Sequence, residues 1–436
     1  MVPEWPRGWL LQSIESSTAA VIDYRGKSPR KAPSGIPLVT AKIVKDGRIL
    51  EPQEFIPHED YERWMTRGLP ELGDVVLTTE APLGEVAQLG PGRVALAQRI
   101  IVLRGRRDSL DSTYLKLALR SDFVQEQLHA RATGTTVMGI SQASLRQVVL
   151  PVPPLEEQRA IARILGALEN KIELNRQINR TLEAMAQALF KSWFVDFDPV
   201  TAKTAGRQPL GMIKTTANLF PDRFADSGEG PLPVGWRLGV LADIAGINVR
   251  QISDSSPSAS IRYVDISSVS PGRIDSLAHY AWANAPSRAR RLVRHGDTIW
   301  SCVRPNRRSY CFIRNPAHDT VVSTGFAVLT PRSGAGAFLY MSATTDEFVE
   351  YLTSHAEGSA YPAVRPDSFA RGRVVHPSEP IVRAFEEMVD PLLELAWRNN
   401  EESRALTALR DTLLPKLLSG EIRVREAEKL VERAGA

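Results

Sequence analysis

Apolar positions in LEEQRAIARILGALENKIELNRQINRTLEAMAQALFKSW, residues 155–193, recur in alternating steps of four and three. The stripe runs Ile161, Leu165, Leu168, Ile172, Asn175, Asn179, Leu182, Ala186, Leu189 and Trp193. A 3.5-residue period predicts an amphipathic helix with a narrow seam for a partner helix, about 50 Å long at 1.5 Å per residue. A second stripe follows at an offset of about 224 residues: Phe385, Val389, Leu392, Ala396, Asn399, Ser403, Leu406, Arg410, Leu413 and Leu417. Its polar step falls where the first one does, Asn175 answering Asn399 and Asn179 answering Ser403. A polar residue in such a seam lowers stability but fixes register, because its hydrogen bonds are met in one alignment. The two helices are therefore expected to pair antiparallel as a rigid spacer, with Asn175, Asn179, Asn399 and Ser403 setting register. The alternative places the asparagines in solvent and the contact on Leu174 and Ile178.

The offset holds outside the helices. LGDVVL (72–77) answers HGDTIW (295–300), QRIIVL (98–103) answers TGFAVL (324–329), and YLKLALRSDFVQEQL (114–128) answers FLYMSATTDEFVEYL (338–352). Gly134 in ATGTTVMGI answers Gly358 in AEGSAYPAV. Short β-branched runs such as GDVVLTT, RYVDISSV and VVSTGFAVL are bounded by Gly, Pro and Ser clusters, the signature of strands and turns. The predicted class is α+β: two repeated mixed globular domains separated by an antiparallel helical pair. The expected boundaries are a first domain at 1–152, a spacer helix at 153–197, a linker at 198–232, a second domain at 233–378, a second spacer helix at 379–420 and a tail at 421–436.

Composition narrows the function. No apolar run of about 18 residues is present to span a bilayer, and the N-terminal MVPEWPRGWLLQSIESS lacks the plan of a secretory signal, so a cytoplasmic location is expected. Two cysteines, Cys302 and Cys311, are too few for a disulfide framework or a four-thiolate zinc site, and no metal site is expected. The net charge of +4 is mild. Its distribution is not: Arg288, Arg290, Arg291, Arg294, Arg304, Arg307, Arg308 and Arg314 have Asp297 as the one acid among them. Such a field suits nucleic acid.

Catalytic motifs do not assemble. The nearest approach to an adenine-methylase N/D-P-P-Y/F segment is VDFDPV (195–200), which lacks the paired prolines and reads better as a helix terminator. Gly26-Lys27-Ser28 lacks the partner glycine of a phosphate-binding loop, since Val21 stands there. Binding chemistry is better supplied. Arg304, Asn306, Arg307 and Arg308 flank a turn at Pro305, with Arg288 and Arg290 upstream; arginine can contact guanine with two bonds, and asparagine adenine. In the first half, Arg25, Lys27, Arg30 and Lys31 lie in a turn-rich loop suited to phosphate contact. The small hydroxyls of Thr135 and Thr136, and Ser359 with Tyr361, suit DNA contacts or simple turns equally. A solvated arginine-rich surface remains the plain alternative.

The stretch PVPPLEEQRAIARILGALENKIELNRQINRTLEAMAQALFKSWFVDFDPV, with the terminal LLELAWRNNEESRALTALRDTLLPKLLSGEI, resembles the specificity subunits of Type I restriction-modification systems. GDVVLTTEAPLGEVAQL and VVSTGFAVL are similar to segments of that family's target-recognition domains. The resemblance implies a non-catalytic protein whose two recognition domains each read one half of a bipartite duplex DNA site through the major groove. It implies that the helical pair docks two methylase subunits, which bring S-adenosylmethionine and methylate adenine at N6, and that motor-nuclease subunits complete the restriction form. No cofactor is expected on this chain itself. Because GDVVLTTEAPLG and GDTIWSCVRPNRR differ, an asymmetric target is expected. The competing classes are a stand-alone bivalent DNA-binding protein and a scaffold whose arginines bind an acidic protein.

Overall fold

The computed structural model describes residues 5–26, 28–253, 259–359 and 361–433. The chain divides into two compact units, one built from residues 1–172 with 405–436 and the other from residues 173–404. Each unit therefore contains one globular domain together with a stretch of both long helices, Leu155–Phe194 and Glu379–Ser419.

The sheets repeat with the sequence. In the first unit Leu10–Ser13 pairs with Val149–Val152, and a four-stranded antiparallel sheet runs in the order Thr18–Asp23, Ile100–Gly105, Val75–Thr79, Leu83–Gln88. In the second, Arg237–Val240 pairs with Arg373–His376, and the matching sheet runs Ala245–Ile247, Phe326–Pro331, Thr298–Ser301, Tyr310–Phe312. A smaller sheet in each unit contains one parallel pair, Ile36–Val39 with Ala95–Leu96 and Ser260–Val264 with Thr320–Ser323. The second unit adds Ala289–Leu292 to that sheet. At the repeat offset the matching residues of the first unit, 66–69, form no strand.

The repeated Gly-Asp dipeptide has a structural role. Gly73 and Gly296 both turn with φ of 87°, and the aspartate that follows is buried in each case. Asp74 accepts the Glu71 amide at 2.8 Å and the Arg104 guanidinium at 2.8 Å. Asp297 accepts the Arg294 amide at 2.8 Å and the Arg250 guanidinium at 3.0 Å. A buried carboxylate bound by a turn amide and an arginine fixes the entry to the strand that leads to the candidate site.

Along the helices, Ile161, Leu165, Leu168 and Ile172 are buried in the first unit with Leu406, Leu413 and Leu417. In the second unit Ala186, Phe190 and Trp193 are buried with Phe385, Val389 and Leu393. Leu393 goes deeper than the anticipated Leu392, a one-residue shift of the stripe, and Arg410 stays at the seam edge, paired with Asp411 at 2.6 Å. The polar step is internal: Asn175 is 1% exposed whereas Leu174 is 49% exposed, so the seam runs through the asparagines. Asn399 Nδ2 donates to Asn179 Oδ1 at 2.8 Å, and Asn179 Nδ2 to Asn400 Oδ1 at 2.9 Å and the Ala396 carbonyl at 3.0 Å. Asn175 Nδ2 donates to Glu402 Oε2 at 2.7 Å and Ser403 Oγ at 3.3 Å. Residue numbers rise on one helix as they fall on the other, which makes the pair antiparallel. The two cross-helix pairs, Asn175 with Ser403 and Asn179 with Asn399, are exchanged by the internal repeat. A register slip would leave the buried Asn175 amide without partners, at about 1–3 kcal/mol, and strip the half-buried Asn179 and Asn399 of theirs.

Two stretches carry more structure than their sequences suggest. Residues 198–232, read as a linker from their Pro, Gly and Ala content, form helices Asp198–Thr204 and Lys214–Ala217 and the strand Phe224–Asp226, and they send Val200, Phe220 and Leu232 into the second core. The long helix stops as VDFDPV predicts: the amides of Val195 and Asp196 both turn back to the Lys191 carbonyl, Phe197 is left-handed, and Pro199 opens the next helix. The terminal stretch forms the helix Val424–Arg433, which buries Ala427 and joins Arg163 through Glu428 at 2.9 Å.

Candidate nucleic-acid interface

Each four-stranded sheet delivers its third strand to a turn that is clasped by a distant glycine loop. In the first unit the strand Val75–Thr79 runs into Ala81–Pro82, where Ala81 is left-handed with φ of 50°. In the second, Thr298–Ser301 runs into Arg304–Pro305, and Arg304 has the same φ of 50°. A left-handed non-glycine residue is uncommon and is held only when its surroundings over-determine it.

Those surroundings repeat as well. The Thr133 and Gly139 backbones exchange hydrogen bonds of 2.8 and 2.9 Å, closing a ring around Gly134, and the Ile140 amide donates to the Thr79 carbonyl at 3.0 Å. Glu357 and Ala363 exchange two bonds of 2.9 Å around Gly358, and the Val364 amide donates to the Cys302 carbonyl at 2.8 Å. Gly134, at φ of 124°, needs its missing side chain, since a Cβ there would lie 2.2 Å from the Val137 carbonyl oxygen. Isolated bridges, Glu80 to Gly139 and Val303 to Ala363, fasten strand end to loop in the same register. The loop is thus a closed ring between two helices rather than a turn between strands.

The framework is shared and its side chains are not. In the first unit the turn presents Ala81 and Pro82, with Glu80 paired to Arg99 at 2.9 Å. The ring presents exposed Thr135 and Thr136, and Val137 and Met138 at 50% and 48% exposure. In the second unit the turn presents Arg304, Asn306, Arg307 and Arg308, and the ring presents Ser359 and Tyr361. The Arg304 guanidinium lies 4.6 Å from the centroid of the Tyr361 ring. Arg308, also left-handed, pairs with Asp346 at 2.5 Å, the first residue of the helix Asp346–Ser354. Asn306 and Arg307 are exposed.

The other arginines of the second unit divide by the pleat of the added strand. Arg288 is exposed just before it, and Arg290 lies 5.2 Å from the Trp282 ring. Arg291 points the opposite way and is buried, with Nε and Nη1 unmatched by any hydrogen bond among the described residues. Burial pushes its guanidinium below the ordinary value, and its neighbouring titratable group is the Cys302 thiol, itself raised by burial to about 11. Both cysteines are buried. The positive field beneath this turn is therefore weakly compensated.

The basic residues selected in the first half sit differently. Arg25 is within 3.5 Å of Asp23, Arg30 pairs with Asp60 at 2.7 Å and Glu59 at 3.1 Å, and Lys31 pairs with Glu54 at 2.8 Å. Lys27 lies outside the described residues. The carboxylate partners of Arg25, Arg30 and Lys31 lie at residues 23–60, none of them in the clasped turn at Ala81. Val137 and Met138, which charge and motif reasoning passed over, are placed there instead.

Residues 28–184 match the family described as the Type I restriction modification DNA specificity domain. Relatives include the Type I restriction enzyme HindI specificity subunit of Haemophilus influenzae, 27% identical over 75% of this chain and 81% of that one. The MjaIX specificity subunit of Methanocaldococcus jannaschii is 25% identical over 81% of this chain and 78% of its own. These matches support a specificity subunit of a Type I restriction-modification system. The same matches support sequence-specific DNA recognition. The fold agrees: the S subunit of a Type I system from M. genitalium superposes with a TM-score of 0.55, covering 96% of this chain and 99% of the other at 16% identity. The matched family range ends five residues beyond Asn179, so it spans the first clasped turn and the polar step of the first long helix. The second clasped turn, outside that range, is tied to the first by the internal repeat. No helix among the described residues is long and apolar enough to cross a membrane.

Proposed function

We propose that this specificity subunit reads an asymmetric, bipartite duplex DNA target, one half-site at each clasped turn, and directs methylase and restriction subunits to it without catalysing a step itself. The observation that carries the reading is the repetition of one turn framework with unlike side chains. Two copies of a reader imply two half-sites, and different side chains imply different bases. The helical pair, locked in register by Asn175, Asn179, Asn399 and Ser403, acts as the ruler that makes half-site spacing a geometric constant. Two methylase subunits supply S-adenosylmethionine and the N6-adenine chemistry, and motor-nuclease subunits complete the restriction form, all in the cytoplasm. Arg288, Arg290 and Arg307 supply phosphate contacts at the second half-site. Thr135 and Thr136 contribute at the first. Arg25, Arg30 and Lys31, with Lys27, add affinity for the phosphate backbone without sequence information.

The test is to co-express the chain with a Type I methylase subunit in a host free of such methylation and map N6-methyladenine across the genome. A split motif with unlike halves that vanishes when the chain is omitted is the expected result. No new motif beside an active methylase, or two identical inverted halves, contradicts the proposal.

A further inference from the structure

The two glycine rings, Thr133–Gly139 and Glu357–Ala363, are each seven residues long, and the fifth position of each carries a bulky exposed side chain. It is Val137 in the first unit, 50% exposed, and Tyr361 in the second, 71% exposed. Met138 follows Val137 at 48% exposure, so two apolar side chains stand side by side in solvent. The ring beneath them is fixed. Thr133 and Gly139 close it through two backbone bonds, Ile140 is buried in the first core, and the Ile140 amide holds the Thr79 carbonyl at the end of the strand Val75–Thr79. An apolar pair displayed on a rigid surface loop marks a contact.

The repeat says what kind of contact. A protein partner docking alike on both units would meet like surfaces, yet the matched tips are Val-Met and Tyr-Pro. Half-sites of unlike sequence require unlike tips. Charge agrees, since the carboxylate nearest the ring, Glu80, which bridges Gly139, is paired to Arg99 at 2.9 Å and is not left bare towards a phosphate backbone. The Val137 and Met138 side chains have no N–H or O–H to give a phosphate or a base edge. The apolar feature of the major groove that suits them is the C5 methyl group of thymine.

We propose that Val137 and Met138 are specificity-determining residues that read the C5 methyl group of thymine in the half-site contacted by the first domain. This rests on the bipartite reading above and assigns one base contact within it. The bonds that close the ring are made by backbone atoms. Val137→Ala/Met138→Ala therefore keeps the fold, with a melting temperature equal to that of the wild type.

The experiment uses the complex of this chain with its methylase subunits and a duplex carrying the mapped motif, with each thymine replaced in turn by deoxyuridine. That base lacks the C5 methyl group and keeps every hydrogen-bonding atom. In the wild type, replacement at one or two neighbouring positions of one half-site weakens binding by about 4-fold each, the factor for one buried methyl group. In Val137→Ala/Met138→Ala those penalties disappear and any in the other half-site remain. Val137→Ser/Met138→Gln, with polar substitutes at the same exposed positions, loses them too. Thr135→Ala/Thr136→Ala keeps them, which separates the apolar tip from its hydroxyl neighbours. A wild type without a deoxyuridine penalty overturns the proposal, as do penalties that persist in both apolar-pair variants or vanish in the threonine variant alone. Apolar-pair variants that no longer assemble with the methylase make the pair a protein contact and overturn it as well. A wild-type complex that directs no split methylation motif defeats the bipartite reading, and this inference with it. A split motif whose penalties ignore Val137 and Met138 defeats this inference alone.

Discussion

In the first domain the clasped turn presents Ala81 and Pro82 beside Val137, Met138 and two threonine hydroxyls, whereas in the second the matching, longer turn presents Arg304, Asn306 and Arg307 beside Tyr361. Small apolar and hydroxyl groups meet a thymine methyl well, while arginine and asparagine forks match guanine and adenine edges. The hydrogen bonds that clasp each turn to its glycine ring are backbone to backbone in both domains, so the clasp places little demand on the side chains displayed beside it. On the proposed reading, one scaffold can be kept while what it reads changes, because fold and readout are carried by different atoms.

The contrast extends to how each domain is fastened to the long helix that crosses it. Glu169 is held by Lys116 at 2.5 Å and by Arg120. Burial alone would raise its carboxyl, but the two cations outweigh it and hold it below the ordinary value. Glu183, buried against the Tyr340 hydroxyl at 2.6 Å, is pushed above the ordinary value by burial. The signs oppose each other. A depressed carboxyl contributes stability that is lost as pH falls from the ordinary glutamate value through its lowered one. A raised carboxyl contributes stability that is lost as pH climbs from the ordinary value through its raised one.

The largest effect expected from breaking this contrast is Glu169→Gln. It strands two largely buried cations and should cost about 3–5 kcal/mol, read as a drop in melting temperature with early hydrogen exchange in the first unit. Glu183→Gln should instead leave stability unchanged or raise it at neutral pH. Hydrogen exchange of the wild type over the acid range should show the first unit loosening while the second tightens. Both units moving together would break the comparison.

A smaller effect sharpens the difference in readout. Arg307→Ala should weaken DNA binding almost equally for all sequences and lower the slope of log K against log salt by about 0.9, one phosphate contact. Val137→Ala with Met138→Ala should leave that slope unchanged. A salt-slope change from the apolar pair would place phosphate, rather than a base edge, over the first turn.

How much of this was legible follows from the range of each signal. The helical seam is periodic over some forty residues and its polar step recurs at a fixed offset, so Asn175, Asn179, Asn399 and Ser403 could be found without coordinates. The clasped turns could not. Thr79 and Ile140 are joined by a hydrogen bond across 61 residues, and nothing periodic marks that meeting. Charge counting singled out Arg25, Arg30 and Lys31, yet it could not see Asp23, Asp60 and Glu54 beside them. In the second domain the same counting led to Arg304 because the acids there are few. Residues 198–232 were read as a linker because prolines and glycines outweigh three widely spaced anchors, Val200, Phe220 and Leu232, whose burial depends on the core they join.

The central claim is that two matched turns of unlike chemistry read the two halves of the target independently. The most direct measurement maps N6-methyladenine in cells carrying the wild type, the Val137→Ala/Met138→Ala variant or the Arg304→Ala variant, each with the same methylase. The account predicts that the apolar variant relaxes positions in one half of the motif and Arg304→Ala relaxes a position in the other, with the gap between halves constant in all three. Relaxation of the same half by both variants, or a change in the gap, would contradict it.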